Sequence, residues 1–130
     1  MSERAAMNGA EWLAHALAGA GMSHVFFVES TLRRTLLRLD DLGVRTILAH
    51  SEKAAAYMAD GYARVAGRPG VCMAQSVGAA NLASGLQDAW LGRSPVIALS
   101  QDFGHRQSFK FRRMRELLSA QQPIVKGILH

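Results

Sequence analysis

Short apolar runs alternate with longer stretches of helical pattern through most of this chain, and that alternation decides what it can fold into. Residues 24–28, 44–49, 71–74 and 95–99 read as buried strands: each is a brief, mostly continuous apolar run, too short for a helix. Between them lie helical segments at 10–20, with Trp12, Leu13, Ala16 and Leu17 on one side, at 32–42, from Ser51 onward, and at 79–91. Ser30 or Thr31 suits the cap of the second helix, and Gly43 its end. A loop at 101–110, a basic helix at 111–120 and a fifth strand at 124–129 complete the expected order. Strand–helix alternation with short connections specifies a three-layer α/β/α fold, a parallel sheet of about five strands with right-handed crossovers. Ligands on such sheets bind beyond the carboxyl ends of the strands. That rule gathers Glu29 and residues 49–52, 74–78 and 99–102 at one edge.

The helix from Ser51 is the most unusual element. Ser51 is a good N-cap, and Glu52 falls in the first turn, where the helix dipole favours a carboxylate. Ala54, Ala55, Ala56, Ala59, Gly61 and Ala63 make it small on nearly every face until Gly67 and Pro69 stop it. A helix of that kind is buried on most sides. Glu52 therefore stands at the mouth of a buried helix, either complementing the dipole or serving as a functional acid. The small-residue faces of this helix and of the 79–91 helix are expected to stay partly exposed in a monomer, favouring self-association or a partner.

Composition narrows the function classes. At 130 residues the chain is one domain's worth. The single cysteine, Cys72, lies in an apolar run, excludes an internal disulfide and reads as a reduced core thiol, so a cytoplasmic location is expected. No apolar run has membrane-spanning length, and no membrane partner is expected. Residues 1–104 hold nine Lys/Arg and nine Asp/Glu, whereas residues 105–130 hold six Lys/Arg against Glu116 alone, which accounts for the net +5. No zinc-ligand spacing, helix-turn-helix signal or RNA-recognition motif accompanies that cluster, so it reads as a solvated helix face and nucleic acid is not an expected partner.

Among site chemistries, a dinucleotide fingerprint and a phosphate-binding P-loop are both missing. A serine hydrolase is a third-ranked reading: Ser76 lies in a small-x-Ser-x-Gly turn after a strand, with Asp102 and then His105 or His130 downstream. The ordinary reading of Ser76 is a turn residue capping the next helix.

A longer pattern carries more weight. It comprises Ser51-Glu52-Lys53-Ala54-Ala55-Ala56-Tyr57-Met58-Ala59-Asp60-Gly61-Tyr62-Ala63-Arg64, then Gly70-Val71-Cys72-Met73-Ala74, then Ala80-Asn81-Leu82 with Gly85, Asp88-Ala89 and Ser94-Pro95-Val96-Ile97. Over about residues 7–102 this resembles the pyrimidine-binding (PYR) domain of thiamine-diphosphate enzymes of the acetolactate synthase type. The resemblance implies that Glu52 hydrogen-bonds N1′ of the cofactor's aminopyrimidine. It also places Ser76, Gly78, Asn81 and Gln101 at the cofactor. Departures from the family pattern put Glu29, Phe109 and Phe111 in the substrate region: Phe27-Val28-Glu29-Ser30 replaces a glycine-proline turn, and Phe109-Lys110-Phe111-Arg112-Arg113 replaces a Phe-Gln-Glu segment. The Ser-Gly-Pro-Gly-Ala-Thr-Asn turn appears as Ser76-Val77-Gly78-Ala79-Ala80-Asn81, one residue shorter and without proline.

The implied assignment is a single PYR-like domain over residues 1–130, C-terminally incomplete relative to the family. It would be a fragment, a subunit of a split enzyme, or a decayed relative. It would supply the aminopyrimidine half of a thiamine diphosphate site, and it carries no metal ligands. Mg²⁺ and the diphosphate are then expected on a PP-domain-bearing chain, or on a second copy in a homo-oligomer, acting on a small 2-keto acid. The alternative implied function is a non-catalytic interaction domain that keeps the fold.

Overall fold

The computed structural model describes residues 7–28 and 32–101. Helix α1 (Gly9–Gly19) begins on a capping box: the Asn8 side chain accepts from the Glu11 N–H, and the Glu11 carboxylate accepts from the Asn8 N–H. Strand β1 (His24–Phe27) follows, then α2 (Arg33–Asp41) and β2 (Arg45–Leu48). The Ser51 hydroxyl accepts from the Ala54 N–H and caps α3 (Glu52–Ala66), which ends on Gly67 in the left-handed region at φ 63°. Strand β3 (Gly70–Gln75) runs directly into α4 (Ser76–Leu91), and β4 (Val96–Gln101) closes the described chain.

All three strand pairings are parallel, in the order β2-β1-β3-β4. β3 is central and almost wholly buried, which is why its sequence is continuously apolar rather than alternating. Side-chain alternation along β1 and β3 separates two cores. On one face Ala14, Leu17, Leu36 and Leu39 of α1 and α2 cover Val25, Val71 and Met73. On the other, Ala55, Ala56, Ala59, Leu82 and Leu86 of α3 and α4 cover Phe26, Cys72 and Ala74. The sheet is thus the middle of three layers, as the alternation predicts. Successive strands run outward from β1 to β2, then from β3 to β4 in the opposite direction. The reversal lies between β1 and β3, and such switch points are where open parallel sheets place their ligands.

Two boundaries differ from expectation. The segment 75–78, expected as a turn, is the end of β3 and the first turn of α4, because the ladder with β4 continues to the Gln75–Gln101 pair. Gln75 rather than Ser76 therefore occupies the N-cap, and its side chain makes no capping hydrogen bond. The N-cap of α2 is Leu32, also without a side-chain cap; Ser30 and Thr31 lie outside the described residues.

The small-residue faces of α3 and α4 meet each other over part of their length, while Gly61 stays exposed and Ala54, Ala80 and Ala83 half-buried. Gly78, Gly85 and Gly92 recur every seven residues, so they share one side of α4 and its C-cap. A Cβ on Gly85 would sit 2.6 Å from Ala56 Cβ and 3.0 Å from the Tyr57 backbone nitrogen, and one on Gly92 would collide with the Arg64 guanidinium. Ala55, Ala56, Ala59 and Ala63 are buried in consequence. The outer faces of the same two helices stay partly open, with Tyr57, Met58, Val65, Val77, Trp90 and Leu91 exposed, as are Trp12, Leu37 and Leu48 elsewhere.

Polar links complete the seam. Arg64 Nε donates to both Asp60 oxygens at 3.0 and 3.1 Å, and Ser94 Oγ donates to Oδ1. Burial works to raise the Asp60 carboxyl, but the hydrogen bonds from Arg64 and Ser94 outweigh it and hold the group below the usual carboxylate range. At the opening of β1, Ser23 Oγ is within 2.9 Å of His24 Nδ1 and 2.5 Å of the Tyr62 hydroxyl, tying the strand to α3.

Candidate functional site

Glu52 is the first residue of α3 and half-buried, one residue after the Ser51 cap. It lies just beyond the carboxyl end of β2, on the helix that crosses over β1 to reach β3. The first turn of α4 meets it there. A Cβ built on Gly78 would fall 2.5 Å from Glu52 Oε1, 2.9 Å from Cγ and 3.0 Å from Cδ. The carboxylate therefore occupies space that any other residue at position 78 would fill. One helical turn on, Asn81 Nδ2 donates to Glu52 Oε2 at 3.3 Å. The acid lies at the positive ends of two helices at once, its own and α4, and the Asn81 amide adds a charge-assisted donor.

The structure thus brings together three of the expected residues, Glu52, Gly78 and Asn81. Ser76, the first residue of α4, and Gln101, the last of β4, lie on the same edge by backbone position. Glu29, Phe109 and Phe111 lie outside the described residues, as do the hydrolase partners Asp102, His105 and His130, the basic helix at 111–120 and the strand at 124–129. Among the described residues no three His, Cys, Asp or Glu side chains cluster so as to hold a metal ion, and no helix is long and apolar enough to cross a membrane.

Two features escape a reading of the sequence. One is the link from Asn81, expected at the cofactor, to Glu52; its signal is the place of Asn81 three residues after Gly78, on the same helix face. The glycine repeat at 78, 85 and 92 is the other, and its heptad spacing alone announces a close helix crossing. Cys72 is a buried free cysteine, and burial pushes its thiol up to about 12.

A carboxylate fixed by a neighbouring amide at a strand-end edge can accept from, or share a proton with, a ring nitrogen presented to it. Comparison with known proteins places the chain in a family. Residues 7–121 match the family described as thiamine pyrophosphate enzyme, N-terminal TPP binding domain. The large subunit of acetolactate synthase isozyme 2 from Escherichia coli (strain K12) is 44% identical over 96 residues, covering 72% of this chain and 18% of that protein. A probable acetolactate synthase large subunit from Methanocaldococcus jannaschii is 40% identical over 96 residues, 72% of this chain and 16% of its own length. A probable 2-ketoarginine decarboxylase from Pseudomonas aeruginosa is 33% identical over 102 residues, 77% of this chain and 18% of its own. The chain spans less than a fifth of the length of these relatives. With its parallel sheet and a match over most of its length, the chain belongs to the family of thiamine pyrophosphate enzyme N-terminal TPP binding (PYR) domains.

Proposed function

We propose that this chain supplies Glu52 to the aminopyrimidine ring of thiamine diphosphate, in an active site completed by another domain or chain, for decarboxylation or carboligation of a small 2-keto acid. The observation that carries this reading is the seat of Glu52: a half-buried carboxylate at the strand-end edge, fixed by Asn81 and resting on the bare Cα of Gly78. That seat fits an aminopyrimidine, which presents a ring nitrogen to an acid and otherwise needs a flat apolar surface. When bound, the cofactor supplies a thiazolium carbon that adds to the keto group and accepts the electron pair left by decarboxylation. Glu52 holds or gives up a proton at the ring nitrogen, and the two helix N-termini keep the acid oriented.

The diphosphate and Mg²⁺ belong on the partner in this reading, a PP-domain-bearing chain or a second copy. Most of the cofactor's charge sits on the diphosphate. One charged hydrogen bond to the pyrimidine, worth about 1.5–3 kcal/mol, with modest apolar burial barely exceeds the cost of association. The isolated chain is then expected to bind thiamine diphosphate only at about millimolar concentration or more weakly. Isothermal titration with cofactor and Mg²⁺ tests this, and micromolar, Mg²⁺-dependent binding by the chain alone would overturn the shared site. In the assembled enzyme, Glu52→Gln should leave cofactor binding largely intact while slowing exchange of the cofactor C2 proton by about 10²–10⁴-fold. Wild-type exchange in that variant would remove Glu52 from the chemistry.

A further inference from the structure

Glu52 has three side-chain torsions, and at an open helix N-terminus most of its rotamers lead into solvent. Here one is selected from α4. Gly78 leaves open the volume that Oε1, Cγ and Cδ occupy, and Asn81 Nδ2 donates to Oε2 at 3.3 Å. The two residues are one turn apart on one helix face, so a single element supplies both the space and the hydrogen bond. The shortened 76–81 segment, with no proline, is wholly helical, and that is what brings Asn81 into register with Gly78. We infer that Gly78 and Asn81 are positioning residues for Glu52: they hold its carboxylate in the working rotamer, and neither has to touch the cofactor. The inference rests on Glu52 being the pyrimidine's partner.

Gly78→Ala is the sharpest probe. The nearest atoms to the added methyl all belong to the flexible Glu52 side chain, so Glu52 turns away while the helix stays in place. Nuclear Overhauser contacts between Glu52 Hγ and Gly78 Hα, measured on the full chain without cofactor, report the rotamer. Those from Glu52 Hγ to the first turn of α4 should be present in the wild type, absent in Gly78→Ala and weakened in Asn81→Ala. In the assembled enzyme both variants should slow C2-proton exchange by up to about 10²-fold, the loss expected for a displacement of roughly 1 Å. Their thiamine diphosphate affinity should hold within a few-fold, because neither residue is a ligand contact. Wild-type exchange in both variants alongside slow exchange in Glu52→Gln would overturn the positioning role and leave the Glu52 reading standing. Wild-type exchange in Glu52→Gln would remove that reading instead, and the nuclear Overhauser contacts would still decide whether α4 fixes the side chain. A large loss of cofactor affinity in Asn81→Ala would show direct ligand contact and overturn the proposal.

Discussion

Gly78 and Gly85 lie two turns apart on one face of α4, both turned toward α3, yet they leave room for different things. Over Gly85 the neighbours are Ala56 Cβ and the Tyr57 backbone, parts of α3 that cannot move without moving the helix. Over Gly78 the neighbour is the end of the Glu52 side chain, which can rotate away at little cost to the fold. The same sequence device therefore sets the distance between two helices at one point and makes a seat for an acid at another. The middle of the α3–α4 seam belongs to stability and its strand-end mouth to the site. Substitutions should separate the two cleanly.

The largest structural loss is expected beneath the seam. Gly70 opens β3, and a Cβ there would collide with the carbonyl of Ala59, backbone against backbone. Gly70→Ala should cost about 3 kcal/mol, the upper end of the overpacking range, read as a fall in the urea midpoint. A loss under about 1 kcal/mol would mean that α3 can lift off the sheet, and the contrast between rigid seam and adaptable mouth would fail. Asp60→Ala comes next, at about 1–3 kcal/mol, because Ser94 and Arg64 lose a shared acceptor in a largely buried place. Its pH dependence has a definite sign. The Asp60 carboxyl is held below its usual value in the fold, so the ionised group stabilises fully above the unfolded value of about 3.9. That contribution is lost as pH falls through the lower folded value. The stability gap between wild type and Asp60→Ala should thus be constant from pH 7 to about pH 5 and close below about pH 4. A gap that did not narrow at all as pH fell below about 4 would show that the carboxylate's charge is not what holds this end of the seam.

How much of this was legible in the chain follows the same division. The layers and the parallel sheet came from apolar runs whose length and spacing admit one arrangement, and the Ser51 cap and Gly67 stop came from single residues with one obvious use. The place of Glu52 at the mouth of a buried helix was legible from the Ser51 cap and the small residues after it, but position left a dipole-complementing carboxylate and a functional acid both open, and only the family resemblance favoured the acid. The start of α4 was misplaced by three residues. Gly78 in isolation looks like a turn, and only pairing of β3 with β4 out to Gln101 shows that the strand leaves no residue to spare for one. The Asp60–Arg64 pair has the i, i+4 spacing of a surface ion pair; that Ser94 joins it and buries Asp60 depends on a residue 34 positions away, which local pattern cannot supply. That α3 and α4 lay small residues against each other is non-local in the same way, since the sequence shows two small-residue helices but not that they pair.

Gly85→Ala tests the seam itself. Alanine is the better helix former by about 1 kcal/mol, so on propensity alone the variant would be stabilised. Contact with Ala56 Cβ at 2.6 Å and the Tyr57 nitrogen at 3.0 Å opposes that, and forcing the helices apart costs about 1–3 kcal/mol. A net loss of about 1–2 kcal/mol is expected in thermal or urea unfolding, and a gain would show the crossing to be looser than its glycines imply.

The smallest effect is the most informative. Gly78→Ala carries the same propensity gain, reduced because the residue lies in the first turn of α4, and its methyl displaces a half-exposed side chain rather than a backbone. Turning Glu52 outward gives up the hydrogen bond from Asn81, a contribution of about 1 kcal/mol at a partly solvated site. The two terms are close in size and opposite in sign, so the stability of Gly78→Ala should stay within about 0.5 kcal/mol of the wild type. Running it beside Gly85→Ala under identical urea titration isolates position from chemistry, since both replace glycine by alanine on the same face of the same helix. If both lose stability equally, Glu52 is packed as rigidly as Ala56 and the mouth of the seam is only more core. If Gly78→Ala alone is neutral, its glycine is there for the carboxylate.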